Sequence, residues 1–205
     1  MRKDPRRLTL KLSVLFSSFA PVATFTAFLM NTSATQLADF TRRTAELGVL
    51  ILAYFIYSAL KENTFRFKKK KRLARILFRA SGGVLVFSGL FLIALFIRGL
   101  IEVTPPSGDV RLGLLIATLG LLANAYFSIQ YTIFNRRSAD AVMESQGKLY
   151  QAKTIIDLNV VIALSSVLLF EASMLSYYID QAGTFIVAVY LLVRGLLFGR
   201  KEPGS

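Results

Sequence analysis

The sequence predicts an all-α integral membrane protein of six transmembrane helices. Hydrophobic residues make up 54% of the 205-residue chain, and its mean hydropathy is +0.54. Apolar runs near bilayer length recur along it, and charged clusters separate them. The expected spans are about 10–30, 36–60, 74–102, 110–134, 149–176 and 180–198, forming one domain over residues 1–205. Each is close to the ~20 apolar residues that a crossing needs. The first does not read as a cleaved signal peptide, because no small-residue cleavage site follows it and further spans do. No cytoplasmic domain is expected after the sixth span, since the sequence stops seven residues past Phe198.

Charge orients these spans. Lys and Arg number 25 against 12 Asp and Glu, a formal net charge of +13. In a soluble chain that excess would suggest nucleic acid, but here no nucleic-acid partner is expected, because the positive-inside rule accounts for it. The N-terminal "MRKDPRRLTLK", the loop "KENTFRFKKKKRLAR", the fourth loop with Arg136, Arg137 and Lys148, and the tail with Arg200 and Lys201 are basic. The alternate loops "NTSATQ", "EVTPPSGD" and "SYYIDQAG" hold no lysine and no net positive charge. Both termini are therefore expected in the cytoplasm, with the protein in the cell (inner or plasma) membrane. The run Lys68, Lys69, Lys70, Lys71 and Arg72 reads first as a topology determinant. Its second reading is contact with anionic lipid headgroups, at ~1 kcal/mol per basic residue near the surface.

Composition also excludes chemistry. The chain has no cysteine and no histidine, so it holds no disulfide and no transition-metal site built from thiolate or imidazole. No phosphate-binding glycine loop, nucleophile elbow or dinucleotide fingerprint is present, so neither an enzyme nor a cofactor is expected. Pro105, Pro106 and Gly108 mark a turn between the third and fourth spans. Gly82, Gly83 and Gly89 on the third span suit close helix packing in lipid.

Ionisable residues inside spans are costly and usually face a bundle interior or an aqueous cavity. The second span opens with "LADFTRRTAE", carrying Asp39, Arg42, Arg43 and Glu46. Arg42 and Glu46 lie four apart and share one face, as do Asp39 and Arg43 on the adjacent one. The fifth span opens with "KLYQAKTIIDLNVV", in which Lys153 and Asp157 are again four apart. Each helix thus offers a cation and an anion at helical spacing. These can pair within a helix, or cross as Arg42 with Asp157 and Lys153 with Glu46. The four charges cancel, so they suit a salt-bridged plug between two helices and a substrate or proton site equally. Arg98, Glu171 and Arg194 fall near span ends, where they can snorkel to the interface.

At these residues the chain resembles the cation diffusion facilitator family. That family has six spans, cytoplasmic termini and a second-span stretch like "LADALHSLSD", with metal ligands at the sixth and tenth positions. Leu37, Ala38 and Asp39 match it directly, and Arg42 and Glu46 fall on the ligand positions. The exit of the third span, "GLIEVTPPSG", is similar to the family's "LISPTP"-type turn. The sixth, "IDQAGTFIVAVYLLVRGL", is similar to its closing segment. The family's fifth span carries a His-x-x-x-Asp pair. Counting back from Asp180 puts that pair on Lys153 and Asp157, and counting forward from Arg136 and Arg137 puts it on Leu149 and Lys153. Lys153 is a ligand position in both registers.

The resemblance implies the architecture, a homodimer in the lipid bilayer and a transport role. It also exposes departures. The family's tetrad is anionic with imidazole, whereas this one holds Arg42 and Lys153. Two fixed cations repel a divalent ion and occupy the carboxylates that it needs. The glycine- and histidine-containing segment that opens the family's third span is replaced by "FRFKKKKRLARIL". Three functions are open: a secondary transporter of altered substrate, a membrane scaffold that kept the fold, and a transporter of a hard ion such as Mg²⁺ or Mn²⁺ through Asp39, Glu46 and Asp157.

Overall fold

A computed structural model describes residues 4–31, 34–61, 67–103, 111–138, 140–170 and 173–200. The described chain forms six helices: α1 (Pro5–Asn31), α2 (Ala34–Lys61), α3 (Phe67–Ile101), α4 (Arg111–Ser138), α5 (Ala141–Phe170) and α6 (Met174–Arg200). Within them, Arg43–Leu60, Lys71–Ile101, Ala141–Phe170 and Met174–Arg200 are long and apolar enough to cross a bilayer.

The other two, α1 and α4, are 27 and 28 residues long, which at 1.5 Å per residue is about 40 Å and enough to span. Part of their polar content is turned inward. On α1, Leu8, Leu12, Leu15, Phe19 and Val22 form an exposed apolar stripe, while Ser13 is fully buried. On α4, Leu115, Leu119, Leu122, Tyr126, Ile129 and Ile133 are exposed, while Ser128 and Tyr131 are buried. In water such outward faces would be a large apolar patch. Against lipid tails they cost nothing, and buried Ser13 of α1 pairs with buried Tyr131 of α4.

Side-chain caps set the helix starts. Asp4 precedes Pro5 and accepts from the Arg6 backbone N–H at 3.1 Å, a capping acid followed by proline in the first helical position. Asp140 accepts from the backbone N–H groups of Val142 and Met143 at 2.9 and 3.3 Å. Helix α5 therefore begins eight residues before the expected 149. At its other end α5 stops at Phe170 and α6 starts at Met174. The stretch "SYYIDQAG", read as a loop for its polar residues, is instead the first part of α6. Ser173 holds that start, accepting from the Tyr177 N–H and the Ser176 hydroxyl at 3.2 and 2.7 Å through its carbonyl. The Tyr177 hydroxyl then donates to the Gly99 carbonyl on α3 at 2.9 Å. Tyr177 is buried and Tyr178 exposed, the pattern of a helix face rather than a turn.

The most extensive contacts are α3 with α6, α4 with α5, and α1 with α2, and α5 also reaches α6, α3 and α2. The α3–α6 seam is a glycine contact. A Cβ on Gly82 would stand 2.6 Å from the Gly199 backbone nitrogen, and one on Gly195 would stand 2.8 Å from the Val86 nitrogen. Gly89 approaches the Ala188 carbonyl in the same way, at 3.0 Å, whereas Gly83 faces open space. Small-residue packing is thus realised at Gly82 and Gly89, with α6 as the partner.

Candidate functional site

Helices α2 and α5 cross where the sequence puts charge in both. Lys153 Nζ lies 3.3 Å from Glu46 Oε2, and both side chains are 9% exposed. The Tyr150 ring, one turn back on α5, stands beneath the ammonium with its centroid at 4.9 Å, so the cation is held by a carboxylate and a π face together. One of the two crossed pairs is therefore formed. The side chains of Asp39 and Arg42 lie outside the described residues, as do those of Lys68, Lys69 and Lys70. Arg43 is half-buried, and Lys71 and Arg72 are exposed.

One helical turn past Lys153, Asp157 accepts a hydrogen bond from the Asn124 amide of α4 at 2.6 Å. Leu149, one turn before it, is 1% exposed and belongs to the apolar core. The stripe Leu149–Lys153–Asp157 thus runs from core packing, through the ion pair with α2, to a hydrogen bond with α4. Of the residues expected near span ends, Glu171 lies outside the described residues. Arg98 pairs with Glu102 at 3.0 Å in an exposed bridge, and Arg194 is exposed over the Tyr190 ring.

A polar network not expected from the sequence adjoins this stripe. The Tyr150 hydroxyl meets Ser17 Oγ at 2.9 Å, and Ser13 Oγ meets the Tyr131 hydroxyl at 2.5 Å. The Tyr131 and Tyr150 rings pack with centroids 5.4 Å apart. Helices α1, α4 and α5 are joined by it away from water. Its signal was the spacing Gly120, Asn124, Ser128, Tyr131 on α4 and Ser13, Ser17 on α1, polar and small residues at helical intervals within apolar segments. The same end of the bundle is fastened by two helix caps. Asp4 accepts from the Tyr57 hydroxyl at 2.8 Å, and Asp140 pairs with Arg6 at 3.6 Å.

Chemically, Glu46 and Lys153 form a buried pair of opposite charges. Among the described residues no group of three His, Cys, Asp or Glu comes together that could hold a metal ion. Glu46 is met by an ammonium and Asp157 by an amide, so the donor set in this state is a poor fit to a divalent cation.

Six helices, inward polar residues and outward apolar stripes define a membrane-embedded helical bundle. The cation efflux transmembrane domain matches residues 10–202, nearly the whole chain, and the chain belongs to that family. No curated protein matches it. The class is thus a cation-diffusion-facilitator transmembrane domain, an integral membrane protein in contact with the bilayer.

Proposed function

We propose that this chain is a transporter-type protein of cation diffusion facilitator architecture in which an internal ion pair stands where relatives hold their metal. The observation that carries this is the Lys153–Glu46 contact of 3.3 Å between two side chains 9% exposed. The tethered ammonium takes the part of the transported cation. An incoming divalent ion would have to displace Lys153 from Glu46 and then tolerate its charge nearby. Conventional zinc transport by ligation at this position is therefore not the activity. The candidate positions remain Arg42, Glu46, Lys153 and Asp157, with Asp39, Arg43 and Leu149 beside them.

A second reading, a membrane scaffold or assembly partner that kept the fold, is favoured by the closure of this pair. A carboxylate-only Mg²⁺ or Mn²⁺ transporter has less support, since it must break both Lys153–Glu46 and Asn124–Asp157. The protein acts as a homodimer with both termini in the cytoplasm of a cell, inner or plasma membrane. The dimer follows from family likeness, and the orientation from the basic segments at one set of loops. A monodisperse monomer in native-like lipid would count against the dimer.

Calorimetry tests the central proposal. The purified chain should give no saturable heat with Zn²⁺, Mg²⁺ or Mn²⁺. An Arg42→Asp, Lys153→His double variant should bind Zn²⁺, because it restores an anion and an imidazole. Saturable Zn²⁺ binding by the unaltered chain would sink the proposal.

A further inference from the structure

A cavity of about 330 Å³ opens between α5 and α6, against Leu85 of α3. Lys148, Gln151, Tyr190, Arg194, Leu197 and Arg200 line it. Ala152, which precedes Lys153, also lines it, but the cavity is cationic where the Lys153–Glu46 pair is one of opposite charges. Lys148 is anchored by Glu144 at 3.1 Å and sits over the Phe198 ring at 4.9 Å. Among the described residues, Arg194 and Arg200 have no carboxylate within salt-bridge distance. Three cations thus face one acid, and the cavity carries an excess of positive charge.

Its position in the fold narrows the ligand. Arg200 closes α6, the chain's last described helix, and Lys148 lies in the first turns of α5. Both therefore belong to the end of the bundle that holds the α1 N-terminus. From this end an apolar stripe descends along α6. Leu197, Val193 and Val189 follow at four-residue intervals and are 62%, 50% and 41% exposed. A soluble anion has no use for such a stripe. A phospholipid needs both parts, a cationic pocket at headgroup level and an apolar track for the acyl chain beneath it.

We infer that this α5–α6 cavity binds the phosphate of an anionic phospholipid, with an acyl chain laid along Leu197, Val193 and Val189. Arg194 and Arg200 supply planar forks that fit phosphate oxygens, Lys148 adds a point charge, and the Gln151 amide is a neutral donor for a headgroup hydroxyl. Basic pockets between membrane helices at an interface are suited to such headgroups. The site is separate from the basic run Lys68–Arg72 and holds independently of whether the chain transports.

Native mass spectrometry of the purified full chain tests it, with phosphatidylglycerol and phosphatidylcholine of matched acyl chains as probes. Phosphatidylglycerol should be retained preferentially. Arg194→Gln with Arg200→Gln should weaken its retention by roughly fivefold for each arginine, about 25-fold together, and leave phosphatidylcholine unchanged. Both arginines are exposed, so the fold should tolerate their loss. Lys68→Gln with Lys70→Gln should leave phosphatidylglycerol retention near the starting value. If that second variant loses the lipid and the first does not, the lipid sits on the basic run and the proposal fails. Displacement of the lipid by millimolar glycerol phosphate would show a soluble phosphate site and overturn it too.

Discussion

Lys153 Nζ on α5 lies 3.3 Å from Glu46 Oε2 on α2, each side chain 9% exposed. Two charges removed from water gain little over apolar residues of similar size, but either alone is costly. The pair is therefore a lock between helices whose strength shows only when one half is taken away. Lys153→Met should lower stability by ~3–5 kcal/mol, because Glu46 is left as an orphan charge. Lys153→Met with Glu46→Leu should recover most of that loss. Thermal unfolding in one detergent, read as a double-mutant cycle, gives the coupling. Arg42→Leu belongs in parallel cycles with Asp157 and with Glu46. Singles that simply add would mean separately solvated groups in an open cavity, and would shift weight from the scaffold to transport.

The α3–α6 seam allows a contrast between a glycine in the contact, Gly195 of α6, and one outside it, Gly83 of α3. Gly195→Val would drive its side chain into the Val86 nitrogen and the Gly82 carbonyl, 2.8 and 2.9 Å from the position of its Cβ. Those are backbone atoms and cannot rotate aside. A loss of ~1–3 kcal/mol or more is expected from such overpacking. Gly83→Ala meets nothing within 4 Å and should be neutral or slightly stabilising, through helix propensity of up to ~1 kcal/mol. Equal effects of the two variants on melting temperature would contradict the seam.

The bundle was legible in the sequence because lipid leaves few solutions for an apolar chain, and helices answer each run. What was not legible lay at the ends and in the partners. Asp140 looked like part of a polar loop, yet its side chain caps α5, which starts eight residues before the expected 149. Asp180 and Gln181 stood at the expected start of the sixth span, whereas α6 begins at Met174 and carries them well inside it. Gln181 lies against Gly99 of α3, where the missing side chain makes room. Spacing within one helix showed that Lys153 shares a face with Asp157, but not that each would turn to a different neighbour. Glu46 could be guessed as a partner from charge. Asn124 could not, because a neutral amide gives no charge signal.

That amide supports a third prediction. Asn124 Nδ2 donates to Asp157 Oδ2 at 2.6 Å across α4 and α5. Asn124→Leu removes a donor from a carboxylate, and a hydrogen bond to a charged group contributes ~1.5–3 kcal/mol. Asn124→Asp should be worse, since it sets two acids together where one donor stood. A melting temperature that falls more for Asn124→Asp than for Asn124→Leu is the expected pattern. No difference between the two variants would mean that Asp157 does not depend on α4.

Sidedness can be read with single cysteines, because the chain has none of its own. Ser107 and Thr64 lie outside the described residues but in opposite connectors, between α3 and α4 and between α2 and α3. The α2–α3 connector adjoins Lys68–Arg72, and holding such a cluster on the cytoplasmic side sets orientation in the bilayer. The α3–α4 connector, "EVTPPSGD", carries only acidic charge. An impermeant maleimide added to intact cells should therefore label Ser107→Cys and leave Thr64→Cys untouched until the membrane is opened. Helices α1 and α4 are the two outside the four segments that are long and apolar enough to cross by themselves, so the pattern also tests whether each truly crosses. If α1 lay along the surface, the α2–α3 loop would keep its side while the N-terminus changed. A third variant, Thr9→Cys, should therefore be protected together with Thr64→Cys. Labelling of Thr9→Cys from outside would remove α1 as a span, and labelling of Thr64→Cys with protection of Ser107→Cys would invert the bundle.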